Sequence, residues 1–333
     1  METIMEKNKI LAVFNTCGLS EKDNAPYYKL AINNLLAQNQ EGMHVVISSC
    51  MNSEKDKNSL RDTFGDKISY NFIDEIFPVN VTFNHSVREC VKSFGEFEDY
   101  LYIDSGCVFN TADDVRTLCN LHKSGPYAMT AGLTDTDSGI FEWFNVNPEN
   151  TMYFNPGVTR PGESASMKGG FFNGEDKVIP VGRTINLHVQ LFSNDLLQTY
   201  GNIIPDIFAS YCTESTFSFL CAAIKKQFVV SKDVVVHHEI SMDGPSLGFP
   251  RPEVPWQHLF RSPRSMVDII SDPKGIEAGF GYEEITEVML HDPEQFDENH
   301  FCKNDDLKTF IKDNIYLGKE SLDYDAIDST FIR

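Results

Sequence analysis

Nowhere in its 333 residues does the chain hold the roughly 18 consecutive apolar residues that a membrane-spanning helix needs. Its start, Met1-Glu-Thr-Ile-Met-Glu-Lys7, lacks the apolar core of a signal peptide, so a cytoplasmic protein with no membrane partner is expected. The eight cysteines (Cys17, Cys50, Cys90, Cys107, Cys119, Cys212, Cys221 and Cys302) contain no C-x-x-C pair and no Cys/His group at zinc spacing. They lie mostly inside apolar runs and read as reduced, small core residues. Positive charge is also scarce: 28 Lys and Arg face 49 Asp and Glu, for a formal net charge of -21. A field of that sign repels phosphate backbones at long range, which argues against a general nucleic-acid binder. It leaves room for a local basic groove, with Lys225, Lys226, Arg251, Arg261 and Arg264 as candidates beside the plainer reading of ordinary surface charge. No internal repeat is evident.

What is present suffices for a core, since 41% of the residues are hydrophobic. The first half alternates strand-like and helix-like segments, predicting βαβ units and a largely parallel sheet. Strands are expected at 9–14, 43–48, 68–72, 99–109 and 127–131. Helices are expected at 26–38, at 59–64, from Asn84 to Phe94, and onward from Asp113-Asp114, whose acids suit a helix start. Between 135 and 176 the chain turns to Gly, Asn, Pro and aromatics without a period, which reads as long loops with a hairpin, a composition often found in lids. Regularity returns at 177–191, then with Ser193-Asn194-Asp195 as a helix cap, a helix from Thr213 to Ile224, and strands at 228–230 and 234–239. The expected organisation is a main domain over 1–245 and, over 246–333, an acidic C-terminal extension wrapped on the main domain as a tail, or an acceptor-side subdomain. The acidity is concentrated there: from Asp268 onward, 17 of 66 residues are Asp or Glu.

The strand Asp99-Tyr-Leu-Tyr-Ile-Asp-Ser-Gly-Cys-Val-Phe109 ends its apolar run on Asp104 and breaks at Gly106. A carboxylate beside a glycine at that point sits on the carboxyl edge of a sheet, where open α/β folds bind ligands. The succession matters as much as the acid: a first strand with the polar exit Asn15-Thr16-Cys17, a second with Ser48-Ser49-Cys50, a helix opening on Asn84-His85, then the acid-tipped strand. Over roughly residues 8 to 240 this order resembles the nucleotide-sugar-dependent glycosyltransferases of the GT-A fold, family-2-like, of the kind carried by tailed bacteriophages. The fold class implied is α/β, a Rossmann-like, mostly parallel sheet flanked by helices, with a C-terminal extension.

The resemblance implies a site. The family's Asp-x-Asp motif reads Asp104-Ser105-Gly106 here, with the second acid absent. Charge on a diphosphate leaving group is commonly neutralised by Mn²⁺ or Mg²⁺, and imidazole is an acceptable extra ligand for Mn²⁺. Asp104 with His237 or His238 is therefore the expected metal site; the other reading is a histidine packed in the core and one capping the strand. Without a metal, Arg183, Arg251 or Lys168 would offset the diphosphate charge. Donor contacts fall to Asn15, Thr16, Cys17, Ser49, Asn84, Ser105 and Arg183, with strand-exit turns and a capping Asn as the plain alternatives. Glu214, in Thr213-Glu-Ser-Thr-Phe217, is expected as the base that deprotonates the acceptor, or else as a helix-capping acid. Asn186, His188 and Trp256 are acceptor-side candidates. Phe141, Trp143, Phe144, Tyr153, Phe171 and Phe172 either stack on a sugar or base or anchor a loop. The implied activity is transfer of a glucosyl, arabinosyl or other sugar from a nucleoside diphosphate sugar, a UDP-sugar favoured, to a glycan or to a hydroxymethylated pyrimidine of phage DNA, in the host cytoplasm if phage-encoded. The rival readings are a sugar nucleotidyltransferase and an inactive sugar-nucleotide-binding module.

Overall fold

In the computed structural model, the described residues are 10–17, 25–50, 52–75, 77, 79–134, 140–142, 155–156, 175–179, 183–185, 188–204, 213–238, 296–299, 301–303, 305, 308–309 and 323–333. The elements of the first half are β1 (Ile10–Cys17), α1 (Ala25–Leu36), β2 (Met43–Cys50), α2 (Glu54–Phe64), β3 (Ser69–Ile73), α3 (Val79–Phe94), β4 (Asp99–Asp104), β5 (Cys107–Phe109), α4 (Asp114–Lys123) and β6 (Tyr127–Thr134). Short strands follow, β7 (Ile140–Glu142), β8 (Asn155–Pro156), β9 (Lys177–Val178) and β10 (Arg183–Ile185), then β11 (Val189–Ser193), α5 (Asn194–Tyr200), α6 (Thr213–Ala223), β12 (Gln227–His238) and β13 (Ser329–Ile332). Residues 143–154 and 239–295, with the expected Trp256 contact, lie outside the described set.

Several boundaries depart from the sequence reading, among them the expected strand 99–109, which is two, β4 and β5, separated at Ser105-Gly106. Helix α2 begins at Glu54, five residues before the expected start, because its first turn is charged and carries no apolar stripe. Its start is fixed by a capping box, in which the Ser53 side chain accepts from the Asp56 amide and the Asp56 carboxylate receives the Ser53 amide. Helix α3 begins at Val79, so Asn84 and His85 lie in its second turn; the β-branched Val79, Val81 and Thr82 in the first turn hide the helix from a propensity reading. The two expected strands at 228–230 and 234–239 are one, β12, whose register against β6 shifts between Val230 and Val235.

Ten strands form one sheet in the order β13-β3-β2-β1-β4-β11-β6-β12-β5, with β9 paired to β12. Strands β3, β2, β1 and β4 are mutually parallel. Strand β11 is antiparallel to both β4 and β6, so β6 runs with β4, and β12 is parallel to β6. Six strands thus share one direction, and the α/β expectation of a mostly parallel sheet flanked by helices holds. A separate three-stranded antiparallel sheet joins β10, β7 and β8. Finally, β13 returns from the chain's end to pair antiparallel with β3.

The pleat sorts the core onto two faces. Ile10, Ala12 and Phe14 of β1 pack with Tyr28, Ile32 and Leu35 of α1, Leu60 and Phe64 of α2, and Val115 and Leu118 of α4. Leu11 and Val13 face the other way, with Phe83 and Val87 of α3, Leu196 and Tyr200 of α5, and Phe217 and Leu220 of α6. Both faces are covered, which is why the strands read as continuous apolar runs rather than as alternation. Six described cysteines, Cys50, Cys90, Cys107, Cys119, Cys221 and Cys302, are buried in these layers.

Candidate functional site

Parallel β1, β2 and β4 end together, and the register sets their last residues side by side: Asn15 against Asp104 and Ser48, and Thr16 against Ser49. Apolar side chains end there and polar ones begin. Asn15, Thr16 and Ser49 are all buried. The Asn15 amide donates to the carbonyls of Val13 (3.3 Å) and Ile103 (3.4 Å). Among the described residues its Oδ1, the Thr16 hydroxyl, the Ser49 hydroxyl and both amide atoms of Asn52, just beyond β2, meet no hydrogen-bond partner. An unpaired buried polar atom costs about 1–3 kcal/mol, so a cluster of them at one sheet edge marks a place where a polar ligand is met. Asn52 is absent from the sequence reading; the polar exit Ser48-Ser49-Cys50 was its one available signal, and it stops two residues short.

Asp104 closes this edge, with about 29% of its side chain exposed. Its carboxylate is held from two sides. Tyr102, two residues earlier on the same face of β4, donates its hydroxyl to Oδ1. Just before the antiparallel neighbour strand β11, His188 Nδ1 lies 2.8 Å from Oδ2, and the His188 carbonyl accepts the Asp104 amide at 3.0 Å. The His188 ring in turn stacks on His238, centroids 3.7 Å apart and planes 17° from parallel. His238 reaches that place because the chain turns at Ser105-Gly106 into β5, where Cys107 pairs with His238 at the end of β12.

Sequence order pointed to His237 or His238 as the partner of Asp104, and put His188 on the acceptor side. The imidazole hydrogen-bonded to Asp104 is that of His188, while His238 is buried behind it and His237, opposite Val108, is half-buried. The reason is the inserted strand β11, antiparallel in a run of parallel strands, whose pairing with β4 no local periodicity reveals. Among the described residues no group of three His, Cys, Asp or Glu side chains is arranged to hold an ion. Asp104 and the two stacked imidazoles have the donor chemistry that suits Mn²⁺, and each Asp104 oxygen keeps a lone-pair site beyond the hydrogen bond it accepts.

Other expected contacts resolve differently. Asn84 is buried in α3; its amide donates to the Ile204 carbonyl (2.7 Å) and to the Tyr324 hydroxyl (3.2 Å), and its Oδ1 accepts the Ile204 amide (3.2 Å). Its hydrogen bonds are internal because the helix starts five residues earlier than expected. Glu214 is the second residue of α6. Because α6 leads into the start of β12, its first turn lies toward the same carboxyl edge as Asp104, although the Glu214 side chain is outside the described set. Ser105 is partly exposed in the turn after Asp104, Arg183 opens β10, and for Cys17 and Arg183 only the backbone is described. Asn186 and residues 157–174, within the expected lid, lie outside the described residues.

A second buried ionisable group sits at the opposite edge, where β4 begins. His122 Nε2 is 3.5 Å from Asp99 Oδ1, its Nδ1 is 2.8 Å from the Thr130 hydroxyl, and Asp99 Oδ2 has no hydrogen-bond partner among the described residues. Burial raises the Asp99 carboxyl to about 6 and lowers His122 to about 4.

No family model and no curated protein sequence matches the chain. Among solved structures, it is similar to a mannosyltransferase from Pyrobaculum calidifontis in complex with GDP-Man and Mn²⁺, at 12% identity and TM-score 0.46, over 75% of this chain and 59% of that one. It is also similar to GalNAc-T7 with UDP, GalNAc and Mn²⁺, at 9% identity and TM-score 0.45, over 70% of this chain and 44% of that one. A third is HddC from Yersinia pseudotuberculosis, at 12% identity and TM-score 0.35, over 57% of this chain and 79% of that one. The chain thus spans less than two thirds of the two transferases, and likenesses at these scores carry no weight for activity or substrate.

Proposed function

We propose that this chain is a GT-A-type glycosyltransferase that moves one sugar from a nucleoside diphosphate donor, a UDP-sugar favoured, to an acceptor hydroxyl. One observation carries the reading: at a single sheet edge, an oriented carboxylate, Asp104, stands beside Asn15 Oδ1 and the Thr16 and Ser49 hydroxyls, buried oxygens without a partner among the described residues. A nucleoside with its ribose and phosphates supplies donors and acceptors to such a cluster. In this reading Asn15, Thr16, Cys17 and Ser49 meet the nucleotide, Asp104 and Ser105 meet ribose and diphosphate, and Arg183 supplies positive charge to the phosphates.

A divalent ion, Mn²⁺ or Mg²⁺, held by Asp104 with His237 or His238, would neutralise charge on the leaving diphosphate. Glu214, at the start of α6, takes the acceptor's proton as the sugar's anomeric carbon is attacked. The acceptor is a glycan or a hydroxymethylated pyrimidine of phage DNA, receiving a glucosyl or arabinosyl group. A nucleotidyltransferase would attack the donor's α-phosphate instead, and the segment Asn15-Thr-Cys-Gly-Leu-Ser-Glu-Lys-Asp23 offers it a single glycine.

Release of UDP from UDP-glucose and related donors tests the proposal. The wild-type chain should hydrolyse at least one donor slowly without acceptor, and Asp104→Asn should abolish it. No hydrolysis of any donor, with binding retained, would instead identify a binding module.

A further inference from the structure

The Asp104 carboxylate has a side-chain partner on each oxygen, and one of them, His188, is itself backed by a second ring. Carboxylates at partly exposed strand ends usually rotate among rotamers in water. This one is gripped at its amide by the His188 carbonyl (3.0 Å), at Oδ2 by His188 Nδ1 (2.8 Å) and at Oδ1 by the Tyr102 hydroxyl. His188 and Tyr102 are both buried, and the His188 ring lies flat against His238, itself 1% exposed. The grip is therefore built from the core outward, with His238 fixing the plane of His188 and His188 fixing Asp104.

We propose that His188 is a positioning residue, which acts through Asp104 and not on the substrate. Its Nδ1–H holds the carboxylate so that the lone pair left on each oxygen faces the donor nucleotide. His238 serves as the stacking wall that keeps this imidazole in place. The inference rests on the nucleotide-sugar reading, and it concerns the orientation of the carboxylate rather than the charge of either ring.

Three variants separate hydrogen bond from packing. His188→Asn keeps an N–H donor close to the place of Nδ1, His188→Phe keeps the ring and its stack on His238 but removes the donor, and His238→Phe keeps the wall. Affinity for UDP and for GDP is measured by calorimetry without metal, alongside KM and kcat for donor hydrolysis. The expected result is a loss of about 10–100-fold in affinity for the bound nucleotide in His188→Phe, the scale of one hydrogen bond to a charged group. His188→Asn should recover most of it; His238→Phe, which removes a ring that is also a candidate metal ligand, serves as a packing control and is read by its melting temperature alone. The loss should appear in KM more than in kcat, with melting temperatures of the ring-preserving variants close to wild type. His188→Phe binding nucleotide like wild type overturns the proposal and leaves the nucleotide-sugar reading standing. His188→Asn failing as badly as His188→Phe, with its fold intact, overturns the hydrogen-bond role. A wild-type chain that binds neither nucleotide overturns the reading and the proposal together.

Discussion

At the scale of single residues, the site depends on one carboxylate whose direction is set by its neighbours. Asp104→Asn replaces an acceptor-only group by an amide that cannot accept from both Tyr102 and His188, so one donor is left facing an N–H. The expected outcome is a loss of nucleotide affinity of at least about tenfold with the far-ultraviolet circular dichroism unchanged, read by calorimetry. Asp104 was legible in the sequence because an apolar strand stopping on an acid before a glycine is a local pattern. Its partner was not, since His188 lies 84 positions away and meets it only through the pairing of β11 with β4. Asn52 and Tyr102 were missed for a related reason: their significance is an orphaned atom and a hydroxyl direction, which no spacing encodes.

Asp99 and His122 yield a prediction about pH. The Asp99 carboxyl is raised to about 6 by burial, so its folded state favours the proton; the stability this contributes is present below pH 4 and is lost as pH rises through 6. His122, lowered to about 4, favours the neutral ring; its contribution is present above pH 6.5 and is lost as pH falls toward 4. Asp99→Asn removes the first effect alone. Measured by urea unfolding, the stability of this variant relative to wild type should improve by about 2–3 kcal/mol between pH 4.5 and pH 8. A relative stability that is flat across this range would mean that Asp99 ionises in the fold as it does in water.

Elements explain which parts of the fold the sequence carries. Strands β1, β2, β3 and β4 and helices α1 and α4 were readable because each is a compact apolar pattern bounded by polar or turn residues. Helix α3 was readable only from its second turn onward, and its missing first turn shifted Asn84 from an expected ligand contact to an internal bridge with Ile204. Helix α6 keeps its expected span and packs Phe217 edge-on against Phe192 of β11, 5.3 Å between centroids, which ties the first turns of α6 to the strand that carries His188. For Glu214, in that first turn, the proposed base role predicts that Glu214→Gln lowers kcat by about 10²–10⁴-fold in single-turnover transfer. UDP affinity should stay within about threefold of wild type. Normal turnover would leave Glu214 as a helix-start acid only.

For the whole molecule, the chain's last residues belong to the main sheet rather than to a detached tail. Strand β13 covers the edge of β3, and the preceding turn is fastened to α3: the Arg88 guanidinium lies 4.5 Å from the centre of the Tyr324 ring, Asn84 donates to its hydroxyl, and Lys92 meets Asp325 at 2.8 Å. Tyr324→Ala should therefore destabilise the whole fold by about 3 kcal/mol in denaturant unfolding, because it removes a buried ring and uncovers an edge strand together. A loss below about 1 kcal/mol would show that the C-terminal contacts are decorative. Of the two courses expected for the C-terminal part, a subdomain or a tail wrapped on the main domain, β13 follows the second. With a net charge of -21 on the chain, the proposed phosphate-bearing ligand must find its donors locally, and the buried Thr16 and Ser49 hydroxyls lie at the sheet edge where it would bind.

The central claim is that this edge binds a nucleoside diphosphate through Asp104. It is tested most directly by thermal unfolding of the wild-type chain and Asp104→Asn against UDP, GDP, ADP and CDP, each with and without Mn²⁺, since a ligand bound by the native state raises its apparent stability by mass action. The account predicts that one diphosphate, UDP foremost, raises the wild-type midpoint by several degrees and that Asp104→Asn loses that rise. Equal rises in both proteins, or none with any of the four nucleotides, would contradict it.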